Sequence, residues 1–395
     1  MTEAADTSSA NAGISEDALS AHAVPVVFVS SHATLGGSER FLSLLFERLD
    51  PAWIRAIVCL QEGPFADELR ARKLPVEVIA TGPRLRDVVA SARRLRRLVR
   101  HSGATVVHAN GVKAALTAVV ATWRTRVGVI WFKHDVSRDG WQARFIASRC
   151  ARVVAVSSVV TEPFRSRSRV TVEVLHLQIP EPVVDSDAAR KLVLALFGPE
   201  RPTAVATLVG RLDPFKGHRE ILAAAPAILD RVPGARFLFV GGDDSAHPGY
   251  GDKLRRETRE LGLDHAVRLT GFREDALQLI SGSDVLVIPS VVNERGMGKE
   301  AFPYVGLEAL ALGTPIVGYE HGGLPEQIGE CGILVPPNDR QALGEAILNL
   351  AEDSGLRERL AHCGRERFKA RYALSSLVDD IADRYRQVAS GGKSE

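Results

Sequence analysis

Two cations and two carboxylates define the chemistry open to this sequence. Arg211 and Lys216 lie in Gly210-Arg211-Leu212-Asp213-Pro214-Phe215-Lys216-Gly217, after an apolar run and before an amphipathic one. Arg211 offers a planar fork of donors and Lys216 a point charge, so together they can clamp a diphosphate. Gly217 lets a ligand approach the backbone, and a helix beginning near His218 would add the partial positive charge of its N-terminus. Two surface cations on a solvated loop are the plain alternative. Glu300 and Glu308 bracket Ala301-Phe302-Pro303-Tyr304-Val305-Gly306-Leu307. Pro303 suits the first turn of a helix that Gly313 ends, with Pro315 beyond. The neighbours of Glu308 in that helix are apolar (Ala309, Leu310 and Ala311), so the helix reads as buried all round. A buried carboxylate needs hydrogen-bond donors, and vicinal ribose hydroxyls would supply two. An exposed helix carboxylate is the plain alternative. A glycosidase pair fits less well. Five helical residues span ~7.5 Å, and three extended ones before them add up to ~10 Å. A retaining pair needs roughly 5–5.5 Å between carboxyl groups. The spacing better suits two ends of one long ligand.

The surrounding pattern says what positions these groups. Val26–Ser30 is an apolar run followed by a glycine turn and an amphipathic stretch over Ser38–Leu49, the opening of a doubly wound α/β domain. Further strands are expected at Ile54–Leu60, Val76–Ile79, Thr105–His108, Val127–Phe132 and Val153–Val156. Ile179–Val184, which bears prolines, reads as a linker. The rhythm then restarts with strands at Ala204–Gly210, Phe237–Gly241, Val267–Thr270, Val285–Pro289, Pro315–Gly318 and Gly332–Val335. Fully apolar runs suit parallel strands covered on both faces. Two such series predict two Rossmann-like domains facing across a deep cleft, with ligands at the carboxyl ends of the strands.

Composition closes off several function classes. At 395 residues, 45% hydrophobic and 25% charged, the chain can build two cores. A net charge of +2 leaves no global basic footprint for nucleic acid. Arg outnumbers Lys, and Ala and Val are abundant, a bias that a GC-rich bacterial genome gives. Cys59, Cys150, Cys331 and Cys363 are scattered, which argues against a zinc site or a disulfide framework and for a reducing cytoplasm. Residues 1–23 have no basic start or apolar core, so they read as a disordered tail rather than a signal peptide. No apolar run is long enough to span a membrane.

In order and spacing, the motifs resemble glycosyltransferase family four, of the GT-B fold. The family pattern of GRL-x-P-x-KG, E-x-F-[GP]-x-x-x-x-E and GG-x-PE is met by Gly210–Gly217, Glu300–Glu308 and Gly322-Gly323-Leu324-Pro325-Glu326. Gly36-Gly37-Ser38-Glu39-Arg40 resembles the GGAER loop, Val106–Asn110 the VVHAH segment and Ala155-Val156-Ser157 the AVS segment, while His134 falls where the family often has a histidine after a strand. The likeness covers roughly residues 24–385.

It implies a retaining, metal-independent hexosyltransferase that uses a nucleotide diphosphate sugar as co-substrate and needs no cofactor. Arg211 and Lys216 would hold the diphosphate, Glu308 the ribose, and Glu300 the transferred sugar. Phe302 and Pro303 would lie at the donor, Gly36 and Gly37 would bring backbone to the phosphates or acceptor, and His134 would lie near the reacting centre. The implied domains are an acceptor-binding one over 24–180, a linker over 181–190 and a donor-binding one over 191–370. Over 371–395 a C-terminal helix would return to the first domain and end in a tail.

The sequence departs from the pattern in places. The family's Asn-Gly turn is replaced by Leu175-His176-Leu177-Gln178-Ile179, and Val291–Lys299 is an unusual polar loop leading into Glu300. Asp185-Ser186-Asp187 has the spelling of a metal motif but sits where Asp185 would cap a helix. Asp243-Asp244 ends a strand with no partner carboxylate near it in sequence. Leu85–Arg100 is a basic amphipathic helix, read as a domain helix with a solvated face, with peripheral contact to anionic lipid as the alternative. The acceptor is expected to be a small polyol or aminocyclitol, with a lipid-linked or polysaccharide acceptor as the alternative. An epimerase, or a nucleotide-sugar sensor without turnover, are the rival readings.

Overall fold

The computed structural model describes residues 23–34, 36–136, 140–164, 171–198, 202–293 and 298–391. The tail expected over 1–23 lies outside them but for Ala23, as do residues 294–297 of the polar loop. The first sheet is built from β1 (Val26–Ser30), β2 (Ile54–Cys59), β3 (Val76–Val78), β4 (Val106–Asn110), β5 (Gly128–Lys133), β6 (Arg152–Ala155) and β7 (Thr171–Val174). Its order is β3-β2-β1-β4-β5-β6-β7. The second is built from β8 (Ala204–Val209), β9 (Ala235–Val240), β10 (Val267–Leu269), β11 (Val285–Ile288), β12 (Ile316–Tyr319) and β13 (Gly332–Val335), in the order β10-β9-β8-β11-β12-β13. Both have the strand order of a Rossmann sheet, which reverses at β1/β4 and at β8/β11. The chain divides into two compact units, Met1–Ile130 with Val378–Glu395, and Trp131–Leu377.

The apolar runs form strands because they are covered on both faces: β1, β4, β9, β11 and β12 are buried at every residue. The second sheet packs on an aliphatic and aromatic cluster that includes Leu208, Ile221, Ile228, Phe237, Phe239, Val287 and Ile347. Every strand expected from an apolar run is present within two residues of its bounds. β7 was not expected. It is a partly exposed edge strand, Thr-Val-Glu-Val, whose Glu173 pairs with Arg152 on β6, so its sequence carries no apolar run.

Two expectations are changed by packing. The cysteine spacing argued against a disulfide, yet Cys331, just before β13, is joined to Cys363 in the helix Ser354–Arg371. The partners are 32 residues apart and meet when that helix folds back, which local spacing does not register. Cys59 and Cys150 are buried free thiols. The basic helix Leu85–Ser102 buries its apolar stripe of Val88, Ala92, Leu95 and Val99, leaving Leu85 exposed at its first turn beside a solvated arginine face. Its apolar face is therefore used in packing, as the domain-helix reading required. No helix among the described residues is long and apolar enough to cross a membrane.

Candidate active site

The reversal of strand order at β8/β11 brings together the two loops that carry the predicted charges. The loop after β8 holds Arg211 and Lys216, and the loop after β11 leads through Ser290 to Glu300. The Val291 amide donates to the Phe215 carbonyl (2.8 Å), tying one loop to the other. Gly217 has φ +79°, and a side chain there would collide with the Pro289 carbonyl, so the close approach of the two loops requires glycine. The helix His218–Arg231 begins immediately after it.

Lys216 Nζ reaches Glu300 Oε1 at 2.6 Å, and Ser290 Oγ donates to the same oxygen at 2.8 Å. Burial pushes the Glu300 carboxyl up, but the Lys216 charge and hydrogen bond, with Ser290 and His321, outweigh it and hold the group below the ordinary carboxylate range. The site is therefore a fixed anion beside a cation at the mouth of the sheet. Arg211 points further out, with its side chain 65% exposed, and pairs through Nη1 with Asp244 Oδ2 at 3.0 Å. That pairing follows from the backbone: the Leu212 amide bonds to the Gly242 carbonyl (2.8 Å), aligning the loop with the end of β9.

Asp244 has the neighbours that its sequence context lacked. Asp213, Asp244 and His247 bring one ligand atom each within 4.8 Å of one another, the one such group among the described residues that could hold a metal ion. The Arg211 guanidinium lies against the Asp244 of this group, at 3.0 Å.

The helix Tyr304–Leu312 carries Glu308, which is 6% exposed among buried Leu307, Ala309, Leu310 and Ala311, as the apolar neighbours implied. Pro303 stands at its N-cap and Gly313 ends it in a left-handed conformation. The Pro303 carbonyl is taken by Gln327 Nε2 (2.9 Å). The Phe302 ring is packed face to face on His176 (centroids 5.2 Å apart) and edge-on to Tyr372 (5.6 Å), so its backbone is what it can offer a ligand.

The GG-x-PE segment has a structural role that the sequence alone did not reveal. Gly322 has φ +63°, and a side chain there would strike the Glu300 carbonyl, which accepts a hydrogen bond from the Gly323 amide (2.8 Å). Glu326 accepts from the Ser158 amide (2.8 Å) and hydroxyl (2.6 Å) and pairs with His176 Nε2 (2.6 Å). The residue that departs from the family's Asn-Gly turn, His176, thus has a partner in the motif. That departure was the one sequence signal that could have found the pairing.

His134 directly follows β5, and burial drives its imidazole down to about 4, with Asp135 pulling the other way, so it is neutral at neutral pH. In the first unit, Gly36 is the N-cap and Gly37 the first residue of the helix Gly37–Arg48. Asn110, at the end of β4, donates to the Ser38 carbonyl (3.2 Å) and holds that turn. Glu39 is 2% exposed, and burial raises its carboxyl against the hydrogen bond from Ser38.

Comparison with known proteins agrees with this geometry. The family model for glycosyl transferases group 1 matches residues 203–353, and that for Glycosyltransferase Family 4 matches 35–177. A GDP-mannose-dependent alpha-(1-6)-phosphatidylinositol monomannoside mannosyltransferase of Mycobacterium tuberculosis is 30% identical over 352 residues, covering 84% of this chain and 87% of its own. The chain belongs to glycosyltransferase family four. An alpha-D-kanosaminyltransferase of Streptomyces kanamyceticus is 27% identical over 260 residues, 63% of each chain. Among solved structures, Anabaena HepE in complex with UDP and glucose superposes with a TM-score of 0.78 at 22% identity, covering 91% of this chain and 99% of its own, which establishes the GT-B fold.

As a family-four member, the chain is a nucleotide-sugar glycosyltransferase, and its second Rossmann sheet carries the motif residues. The arrangement can place positive charge (Arg211, Lys216 and the N-terminus of His218–Arg231) against a leaving diphosphate. Such preorganised charge is worth more in a dry site than in water.

Proposed function

We propose that this protein transfers a hexose from a nucleotide diphosphate donor to a hydroxyl of a small polyol or aminocyclitol, with retention of configuration and without a bound metal. The observation that carries the reading is the Lys216–Glu300 contact at the β8/β11 switch point, a cation and an anion fixed 2.6 Å apart. In this reading Lys216 and Arg211 take the growing charge of the diphosphate, Glu308 takes the ribose hydroxyls, and Glu300 takes a hydroxyl of the sugar. The bond from the anomeric carbon to the diphosphate oxygen breaks. The acceptor oxygen bonds to the same face of that carbon, and the acceptor proton passes to the departing phosphate. His134, neutral through burial, would stand near the acceptor hydroxyl. Gly36 and Gly37 would offer backbone to it.

A likeness to a D-inositol 3-phosphate glycosyltransferase of Corynebacterium glutamicum, 31% identical over 189 residues (45% of this chain and 44% of its own), supports a small polyol. A second reading, a lipid-linked acceptor, draws support from the mannosyltransferase likeness and from one surface feature. Trp141 and Phe145, one turn apart on the helix Trp141–Ala147, are 74% and 42% exposed, with Arg149 over the Phe145 ring. Aromatic and cationic side chains together suit a membrane interface.

The test incubates the protein with UDP-, GDP-, ADP- and TDP-hexoses against polyols, aminocyclitols and phosphatidylinositol vesicles, reading nucleoside diphosphate release and product mass. Acceptor-dependent release with an α-linked product from an α-linked donor is expected. Donor conversion without acceptor would replace transfer with epimerisation. Binding without turnover across the panel would leave a sensor.

A further inference from the structure

Beyond the charged residues, the Glu300 carboxylate has a support that reaches it from a different strand. His321 lies between β12 and the glycine pair, and its Nε2 is 2.5 Å from the Ser290 carbonyl. A carbonyl accepts only, so Nε2 carries the proton and the ring is held in one tautomer. The same Ser290 donates its hydroxyl to Glu300 Oε1 at 2.8 Å. Glu300 is fixed on its other side by the Gly323 amide, which bonds to its carbonyl at 2.8 Å. Two residues of the turn after Tyr319–Glu320 therefore grip the Glu300 segment, Gly323 through its backbone and His321 through the residue that orients the carboxylate.

We propose that His321 is a positioning residue for the transfer reaction: it fixes the Ser290 carbonyl and thereby aims the Ser290 hydroxyl that orients Glu300 at the sugar of the donor. The inference rests on the reading that Glu300 faces the transferred sugar. It gives the histidine ahead of the GG-x-PE motif a role that packing alone would not require. A ring that merely filled space could be exchanged for any side chain of its size, whereas this role needs an N–H at the Nε2 position. It also separates two parts of donor recognition. The nucleotide diphosphate would be met by Arg211, Lys216 and Glu308, none of which touches His321; only Lys216 meets the His321 path, at its far end, through Glu300 Oε1. The sugar would be met by Glu300, which depends on His321 through Ser290.

The test compares wild type with His321→Ala, His321→Gln, Ser290→Ala and the His321→Ala/Ser290→Ala pair, after thermal melting confirms folding. The readouts are kcat, the donor KM, and the Kd of the nucleoside diphosphate alone. His321→Ala and Ser290→Ala should each lower kcat by about 10- to 100-fold, as expected when an oriented donor is lost. Diphosphate Kd should stay within about 2-fold, because its contacts are intact. The pair should be no worse than Ser290→Ala alone, since both act along one path. His321→Gln, whose amide can donate from the Nε2 position, should recover kcat to within a few-fold of wild type. A His321→Ala kcat within 2-fold of wild type, losses that multiply in the pair, or a diphosphate Kd that worsens in step with kcat would each overturn the role. Should His321→Ala not fold, Ser290→Ala and His321→Gln still decide it. A wild type that neither binds nucleotide nor turns over would instead sink the transferase reading, and this inference with it.

Discussion

Arg211 and Lys216 are each already paired with a carboxylate, so a diphosphate has to compete with Asp244 and Glu300 for them. The two contests are unequal. The Arg211 side chain is 65% exposed, and exposed pairs contribute roughly 0–1 kcal/mol, so it can swing to a phosphate at little cost. Lys216 and Glu300 are both largely buried, and Glu300 stays ionised because Lys216, Ser290 and His321 together outweigh its burial. Arg211→Ala should therefore weaken nucleoside diphosphate binding by about 10- to 100-fold, the worth of a charge-assisted hydrogen bond of roughly 1.5–3 kcal/mol. Asp244→Asn should leave binding unchanged or slightly tighter. Glu300→Gln should lower kcat by about 100-fold while leaving diphosphate affinity unchanged or slightly tighter, since Lys216 is released from its competing anion. Calorimetric titration and steady-state kinetics separate these. Equal kcat in Glu300→Gln and wild type would remove Glu300 from the sugar site. At this scale the sequence disclosed the charges themselves, because residue type and spacing are local. It did not disclose Asp244, Ser290 or His321 as their partners, since those contacts join segments that meet only when β8, β9, β11 and β12 line up.

Helices and strands position the site through a few long-range clamps, one of which is made by Glu326. It holds the N-terminus of the helix Ser158–Thr161 and the ring of His176 from the helix Leu324–Ile328. Burial pushes its carboxyl up, but the Ser158 and His176 contacts outweigh this and leave it below the ordinary range. A carboxyl depressed in the folded state stabilises at pH above its unfolded value. That contribution fades as pH falls through the lower, folded value. Glu326→Gln should thus cost about 2 kcal/mol at pH 7, given partial solvent access and one charged acceptor lost. The difference from wild type should shrink as the pH drops below about 4. Urea unfolding of both proteins at several pH values measures it. A difference that does not change with pH would mean that the clamp acts by shape alone. Elements were the most legible scale, because apolar runs buried on both faces announce parallel strands. β7 escaped because a half-exposed edge carries Glu173 in place of an apolar residue, and the Cys331–Cys363 link escaped because it depends on where a helix returns.

Taken as a whole, the chain repeats one device: a Rossmann strand order whose reversal point lies beside a glycine-bearing loop, at β1/β4 with Gly36-Gly37 and at β8/β11 with Gly210–Gly217. Alternating apolar and amphipathic stretches made both halves readable, whereas nothing in the spacing tells which nucleotide or acceptor they take. The second unit does make a definite prediction about charge. Asp213, Asp244 and His247 could hold a cation, but Arg211 already supplies positive charge against Asp244, and Lys216 and the His218–Arg231 helix N-terminus add more beside it. A diphosphate can then be neutralised by the protein itself. One of UDP, GDP, ADP and TDP should raise the melting temperature, and should do so equally in magnesium and in EDTA. At one hundred times its Kd a ligand stabilises by about 2.7 kcal/mol, large enough to rank the four bases. A shift that appears with magnesium and vanishes with EDTA would transfer the role to the Asp213–Asp244–His247 group. Substituting His247 by Ala should then abolish the metal response while leaving Arg211 in place.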